Sequence, residues 1–213
     1  MEPGTEVSQD SVQLRRIVAG LFASLDCVVE APEKWGFSYM NRAMSERIAV
    51  GIAKADAVLL GPRTYAQFAQ LWRHQGDDVP MARFLNNSAK HVISRSSQRL
   101  EWLPATQMDC ELATAIGKLK AMPGKDIQVP GSPKLVRSLL REGLLDELNL
   151  MVCPVVIGSG LRLFDELRGP IKLALVETTP FDNGVIAVSY RPLSQEAESI
   201  GQPQHFPQAA SRG

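Results

Sequence analysis

The 213-residue sequence lacks several features that mark whole classes of protein. Its three cysteines, Cys27, Cys110 and Cys153, lie far apart and are not spaced like metal ligands, which argues against a disulfide framework and against a zinc site. Lysine and arginine total 23, as do aspartate and glutamate, and no basic block occurs. The charge pattern of a nucleic-acid-binding protein is therefore missing.

Long hydrophobic runs are missing as well. The longest are well short of the roughly 20 apolar residues that a transmembrane helix needs. The N-terminal sequence MEPGTEVSQDS is acidic and polar, which is unlike an export signal. We therefore expect a soluble, cytoplasmic protein whose partners include neither nucleic acid nor membrane.

The length predicts one domain with a substantial core. No linker or internal repeat divides the chain. Residues 1–13 are poor in apolar side chains, and residues 193–213 are rich in Gln, Ser, Pro and Ala, so we predict a disordered leader and a disordered tail. The predicted domain covers residues 14–192.

Short apolar runs that end at glycine or proline alternate with amphipathic segments, which is typical of α/β proteins. The runs predict strands at residues 14–25, 57–60, 91–93, 127–129 and 148–157, and a hairpin of strands 173–178 and 185–190. Helices are predicted at residues 40–54 and 81–86, from the N-cap Asp109 to Met122, after Gly61-Pro62, and from the N-cap Ser132 to Gly143. The run 148–157 is too apolar for a strand with one solvent-exposed face, so it is expected at the centre of a sheet covered on both sides.

Two glycine turns stand directly before predicted helices, and each is a candidate anion site. The first N–H groups of the helix after Gly131-Ser132 have no intrahelical partner and carry partial positive charge, which favours phosphate. Arg63 falls in the first turn of the other helix, where the helix dipole disfavours a cation, and this indicates an anion nearby. A third loop, Gly158-Ser159-Gly160, follows the longest predicted strand. The alternatives are ordinary glycine turns and a surface arginine.

Polar and aromatic side chains follow other strands. Ser94-Arg95 suits the 2′-phosphate of NADP, although polar turns of this composition are common. Ser24 and Asp26 come at the end of the first strand, where they would hydrogen-bond a ligand or form a simple polar turn. Trp35, with two further aromatic residues close behind it, forms either a stacking wall for a flat ring or a hydrophobic lid or interface.

The order of these motifs resembles the dihydrofolate-reductase-like family, and within it the branch typified by the reductase domain of bacterial riboflavin biosynthesis. The resemblance covers residues 14–192. The segments that carry it are Ser24-Leu25-Asp26, Leu60-Gly61-Pro62-Arg63-Thr64-Tyr65, Val92-Ile93-Ser94-Arg95, Val129-Pro130-Gly131-Ser132, Leu144-Leu145-Asp146-Glu147-Leu148, and Pro154 to Phe164. The run from Asp146-Glu147-Leu148 to Gly158-Ser159-Gly160-Leu161-Arg162-Leu163-Phe164 is its most specific part.

The resemblance implies a three-layer α/β fold, with a central, mostly parallel sheet, an antiparallel C-terminal strand and helices on both faces. It also implies an NADPH-dependent reductase that transfers hydride to a polarised C=N or C=O bond of a small heterocycle, either pterin-like or a pyrimidine or flavin precursor. A homodimer is expected and no metal. The alternative is a nicotinamide-nucleotide-binding protein without turnover that works as a sensor or interaction subunit.

The resemblance also assigns site residues. Asp26 is the candidate catalytic residue, and Trp35 and Glu46 are candidates for substrate binding. The candidate cofactor-binding residues are Ala19, Gly61, Arg63, Thr64, Ser94, Arg95, Val129, Pro130, Gly131, Ser132 and Leu135. The chain departs from the family pattern at Cys27, where the first loop usually has glycine, and at Pro130, where dihydrofolate reductases have the first of two glycines.

Overall fold

A computed structural model describes residues 14–193, so the predicted leader and tail lie outside the described residues except for Leu193. Within this range eight strands form one sheet. The strands are β1 (Ile17–Ser24), β2 (Ala55–Leu60), β3 (Ala89–Ile93), β4 (Ala105–Met108), β5 (Asp126–Val129), β6 (Glu147–Cys153), β7 (Leu173–Pro180) and β8 (Ile186–Pro192). The helices are α1 (Arg42–Ala53), α2 (Pro62–Trp72), α3 (Pro80–Asn87), α4 (Leu112–Ala121) and α5 (Pro133–Arg141), and two short 3₁₀ turns precede α1.

The strand order is β4-β3-β2-β5-β1-β6-β8-β7. The first six in this order pair in parallel, whereas β8 runs antiparallel to β6 and β7 antiparallel to β8. The predicted α/β architecture with an antiparallel C-terminal pair is therefore confirmed.

Helices cover both faces of the sheet. Successive residues of a strand point to opposite faces, so each face has its own core cluster. Ala57 and Leu59 of β2 belong to a core cluster that includes buried residues of α4 and α5. Val58 and Leu60 belong to a second cluster with α2 and α3. A third, smaller cluster centres on Met44 of α1.

The strand β4 was not predicted from the sequence. It has four residues, is only half-buried and stands at the edge of the sheet, so its side chains show no apolar run. The prediction that Asp109 caps the next helix was wrong, since α4 begins at Leu112 with Glu111 in the cap position. No helix in residues 14–193 is both long enough and apolar enough for a membrane span.

The apolar run predicted at 148–157 forms a shorter strand, because β6 ends at Cys153 and is followed by Pro154, which cannot donate to a ladder. Its two faces also differ. β6 lies inside the sheet, between β1 and β8, as expected, but Leu148 and Leu150 are buried whereas Asn149 and Met151 are half-buried, so one face is covered less completely than the other.

Candidate functional site

The parallel strands all end on one side of the sheet, and many of the predicted site residues follow these carboxyl ends. Along the strand order, the residues that directly follow the strands are Asp109, Ser94, Gly61, Pro130, Leu25 and Pro154. Neighbouring strands are about 4.8 Å apart, so the row extends over roughly 24 Å. Ligands of α/β sheets bind at the carboxyl ends of the strands. The row can hold an extended molecule.

The turns after β2 and β5 are joined by a hydrogen bond. The Gly61 N–H donates to Oγ of Ser132 at 2.9 Å. Ser132 is 5% exposed and has left-handed backbone angles, φ 57° and ψ 64°. Ser132 is the N-cap residue of α5, as predicted, but its side chain makes no cap hydrogen bond to the helix. The hydroxyl oxygen instead ties two chain segments that are 71 residues apart into one unit.

This unit brings together the N-termini of α2 and α5. Both helices begin with proline, and the next N–H groups of each have no acceptor within the helix. Thr64 packs against Gly131, since a Cβ added at Gly131 would lie 3.7 Å from Thr64 Cγ2. Arg63 is exposed and makes no hydrogen bond or ion pair with residues 14–193. Two positive helix ends therefore lie side by side, and an arginine without a partner stands in the first turn of one of them, which suits an anion.

Other predicted cofactor residues lie inward of this patch. Ala19 and Val129 are fully buried and paired across β1 and β5, and Leu135 is buried on the inner side of α5. Their side chains belong to the first core cluster, so only their backbone could contact a ligand. Pro130 is half-buried between the strand and the glycine turn.

The turn after β3 lies next to a cavity of about 410 Å³, lined by Arg95, Ser97, Gln107 and Asp109. The Arg95 guanidinium Nη2 donates to both carboxylate oxygens of Glu111, at 2.6 and 2.7 Å. Ser94 is 8% exposed and donates its hydroxyl to the Ser96 carbonyl at 2.9 Å. Of the two residues predicted here, Arg95 is therefore already paired and Ser94 is turned inward.

The loop after β1 is tied to the chain after β6 by Asp26. Its carboxylate accepts from the Ser24 hydroxyl at 2.7 Å, from the Ile157 N–H at 3.0 Å and from the Gly158 N–H at 2.9 Å. These hydrogen bonds, that of Ser24 above all, hold the pKa of Asp26 well below its usual range. The carboxylate is therefore ionised at neutral pH.

Two residues that the sequence did not single out complete this connection. Arg162 Nε donates to the Asp26 carbonyl at 3.1 Å, and its Nη2 donates to the Gly158 carbonyl at 3.2 Å. The Glu30 carboxylate accepts from the Leu161 N–H at 3.0 Å. No local sequence signal marks the contacts of Arg162 with Asp26 and of Glu30 with Leu161, because these partners are more than 130 residues apart.

Cys27, which replaces the family's glycine, has a positive φ of 61°. Such a backbone conformation favours glycine, so the local geometry is kept despite the side chain. Burial raises the pKa of the Cys27 thiol, with the charge of Asp26 as a smaller cause. The thiol is therefore protonated at neutral pH.

The two predicted substrate residues are placed differently. Trp35 is half-buried, donates its indole N–H to the Glu30 carbonyl at 2.9 Å and packs against the Met44 cluster. Glu46 lies on the outer side of α1, where it pairs with Arg42 at 2.7 Å. A Cβ added at Gly20 would meet no atom within 4 Å, so the central strand faces open space on the α1 side.

Comparison with known proteins gives a family and a set of folds. The family model described as the RibD C-terminal domain matches residues 15–187. The uncharacterized protein YyaP of Bacillus subtilis (strain 168) is 26% identical over 187 residues, which are 85% of this chain and 97% of YyaP.

Two solved structures illustrate the fold. A protein of Shewanella sp. PV-4, provisionally assigned to riboflavin biosynthesis, is 15% identical with a TM-score of 0.69, over 84% of this chain and 99% of that one. A dihydrofolate reductase from Enterococcus faecalis, complexed with NADP(H), is 13% identical with a TM-score of 0.57, over 84% and 97% of the two chains. At these identities the likeness concerns the fold alone.

Proposed function

Because this chain belongs to the RibD C-terminal domain family, we propose that it is a reductase that uses a nicotinamide dinucleotide, with NADPH as the expected donor. The substrate is a small heterocycle with a polarised C=N or C=O bond, either pterin-like or a pyrimidine or flavin precursor. We further propose that the protein is a homodimer and that it works in the cytoplasm. A monomeric mass in light scattering would contradict the homodimer.

One observation carries the proposal: the anion patch formed by the Gly61–Ser132 hydrogen bond, the two helix N-termini and the unpaired Arg63. We assign the pyrophosphate of the cofactor to this patch, with contacts from Thr64 and Gly131. Backbone N–H groups at helix ends and a guanidinium are the donors that bind phosphate best. The patch lies in the middle of the carboxyl edge, so a dinucleotide bound there would extend over strand ends on both sides.

The nicotinamide would supply the hydride when bound. We place the reacting ring over β1, where Gly20 leaves open space, with Trp35 as a wall at the end of that space. The chain's own contribution is to hold the two rings in contact and to keep water out. In this arrangement Asp26 is a positioning residue that holds the β1 loop, because a carboxylate that is ionised and bound by three donors is a poor proton source.

Titration of the purified protein with NADPH and NADH, followed by quenching of Trp fluorescence, tests the cofactor site. Both dinucleotides carry the pyrophosphate, so Arg63→Ala should weaken both by about tenfold, the value of one charge-assisted hydrogen bond. Lys118→Ala is the matched control. Lys118 is also exposed and unpaired within the described range, but it lies in the last turn of α4, a helix that takes no part in the patch. Equal affinities of the Arg63 variant and the wild type would contradict the assignment.

A second candidate function is a nucleotide-binding protein that does not turn over. The observation that favours it is the state of Asp26, whose carboxylate is fully engaged and ionised. The two functions separate in a spectrophotometric assay of NADPH oxidation with pterin, diaminopyrimidine and flavin-precursor substrates. Steady turnover with any of them would exclude the silent protein, whereas tight binding without turnover would favour it.

A further inference from the structure

Arg95 and Arg63 follow neighbouring strands, but only Arg95 has a partner. Its guanidinium donates to both oxygens of Glu111, the residue at the N-terminus of α4. Both side chains are about three-quarters exposed, at 75% and 74%, so the pair is accessible to a ligand. An incoming phosphate would have to take the guanidinium away from a carboxylate.

The polar side chains near Arg95 are mostly engaged within its turn, and the exposed Ser97 hydroxyl is the one neutral side-chain donor of the cavity lining without a partner among residues 14–193. The Gln107 side-chain amide donates to the Ser94 carbonyl at 2.8 Å and to the Ser96 carbonyl at 2.9 Å. The Gln98 amide donates to the Ser94 hydroxyl at 3.2 Å. These bonds hold the Ser94 hydroxyl inside the turn, where it donates to Ser96. Among residues 14–193, Arg95 is the single cation that lines the cavity.

The charges around the cavity oppose a phosphate. Asp109 lines the cavity and Glu111 is bound to Arg95, so two carboxylates accompany one guanidinium. A phosphomonoester adds about −1.5 to −2 charges at neutral pH. A ribose 2′-hydroxyl adds none and donates a hydrogen bond to a carboxylate, which is how acidic residues recognise NAD.

On the basis of the proposed function, we propose that Glu111 determines the nucleotide specificity of this site. It competes with a 2′-phosphate for Arg95, so that the preference for NADPH over NADH is smaller than the Arg95 guanidinium alone would give. Glu111 contacts neither the pyrophosphate patch nor the space over Gly20, so its replacement should act on the 2′-position alone.

The test is to measure dissociation constants of NADPH, NADH, 2′,5′-ADP and 5′-ADP for the wild type and for Glu111→Gln. An exposed ion pair is a weak competitor, so its removal should tighten NADPH and 2′,5′-ADP by about fivefold. NADH and 5′-ADP should stay within about twofold of the wild type, and the gain should shrink at high salt. Glu101→Gln is the control, because Glu101 is another exposed glutamate, paired with Arg99 at 2.6 Å.

A double variant shows whether the gain passes through Arg95. Combining Glu111→Gln with Arg95→Ala should abolish the gain for both 2′-phosphorylated ligands. If Glu111→Gln left the dissociation constants of NADPH and NADH unchanged, or lowered both equally, the role of Glu111 in specificity would be wrong while the reductase proposal stood. If the wild type bound no dinucleotide at all, both would be wrong.

Discussion

The bond between Gly61 and Ser132 allows a quantitative test of the anion patch, because Ser132 has two separable roles. Its hydroxyl oxygen accepts the Gly61 N–H, and its backbone adopts φ 57°, a left-handed conformation that is unfavourable for a residue with a Cβ. Ser132→Ala removes the hydroxyl and keeps the Cβ. Ser132→Gly removes both the hydroxyl and the Cβ, so the difference between the two variants reports the Cβ: the backbone strain it causes, less the few contacts it makes.

The expected magnitudes follow from burial and geometry. Loss of the acceptor leaves a partly buried N–H of Gly61 without a partner, so Ser132→Ala should lower the free energy of unfolding by about 1–2 kcal/mol. Glycine relieves about 1–2 kcal/mol of left-handed strain but gives the unfolded chain about 0.4–1 kcal/mol of extra entropy. Ser132→Gly should therefore be more stable than Ser132→Ala by about 0.5–1 kcal/mol, although it has lost the same hydrogen bond.

Urea unfolding followed by far-UV circular dichroism measures both differences, with dinucleotide titration of the same variants beside it. Ser138→Ala, in the same helix, is the control and should stay within about 0.5 kcal/mol of the wild type. Both Ser132 variants should bind NADPH more weakly, because the ends of α2 and α5 are no longer held together. A glycine variant less stable than the alanine variant would refute the strain argument, and an alanine variant as stable as the wild type would refute the role of the hydrogen bond.

Two further predictions concern buried or anchored charges. The Lys90 amine donates to the Ser88 carbonyl at 2.8 Å, and burial lowers its pKa to about 8 from 10.5. The folded chain then binds fewer protons than the unfolded chain between these pH values, so the free energy of unfolding should rise by up to about 3 kcal/mol from pH 8 to 10.5. In urea unfolding experiments at several pH values, the Lys90→Met variant should not show this rise in the free energy of unfolding. The same pH dependence in the variant and the wild type would contradict the prediction. Asp26→Asn should speed amide hydrogen exchange at Ile157 and Gly158 about tenfold, whereas equal exchange would show that the carboxylate does not hold this loop.

Much of the fold follows from local sequence, because strands and helices leave periodic and punctuated patterns. The strand–glycine–helix pattern at Gly61 and Gly131 predicted both helix N-termini, and the structure has them directly after β2 and β5. The edge strand β4 left no such pattern, since it is short and half-buried, with polar Thr106 and Gln107 at its centre. The start of α4 was placed too early because Asp109 is a good N-cap residue by type, while the helix begins three residues later.

The parts of the site that backbone N–H groups form could be predicted from the sequence. The parts that depend on side chains whose partners are far away along the chain could not. Glycine turns at strand ends indicate helix N-termini, which bind anions whatever the rest of the fold. The partners of Asp26 lie 131 and 132 residues along the chain, and only the pairing of β1 with β6 brings them near. The family resemblance made Asp26 the candidate catalytic residue, whereas its contacts favour an anchoring role.

The two arginines show what the pattern of strand, turn and cation leaves undetermined. Arg63 and Arg95 come after β2 and β3, which are adjacent in the sheet, and from sequence both suit phosphate. The difference arises from the neighbouring helices. Arg63 lies in the first turn of α2, which has no acidic residue, whereas the N-cap of α4 brings Glu111 against Arg95 from beyond the end of the neighbouring strand. If Glu111 competes with a phosphate for Arg95, as we propose, the nucleotide preference depends on a residue outside the turn that carries the cation.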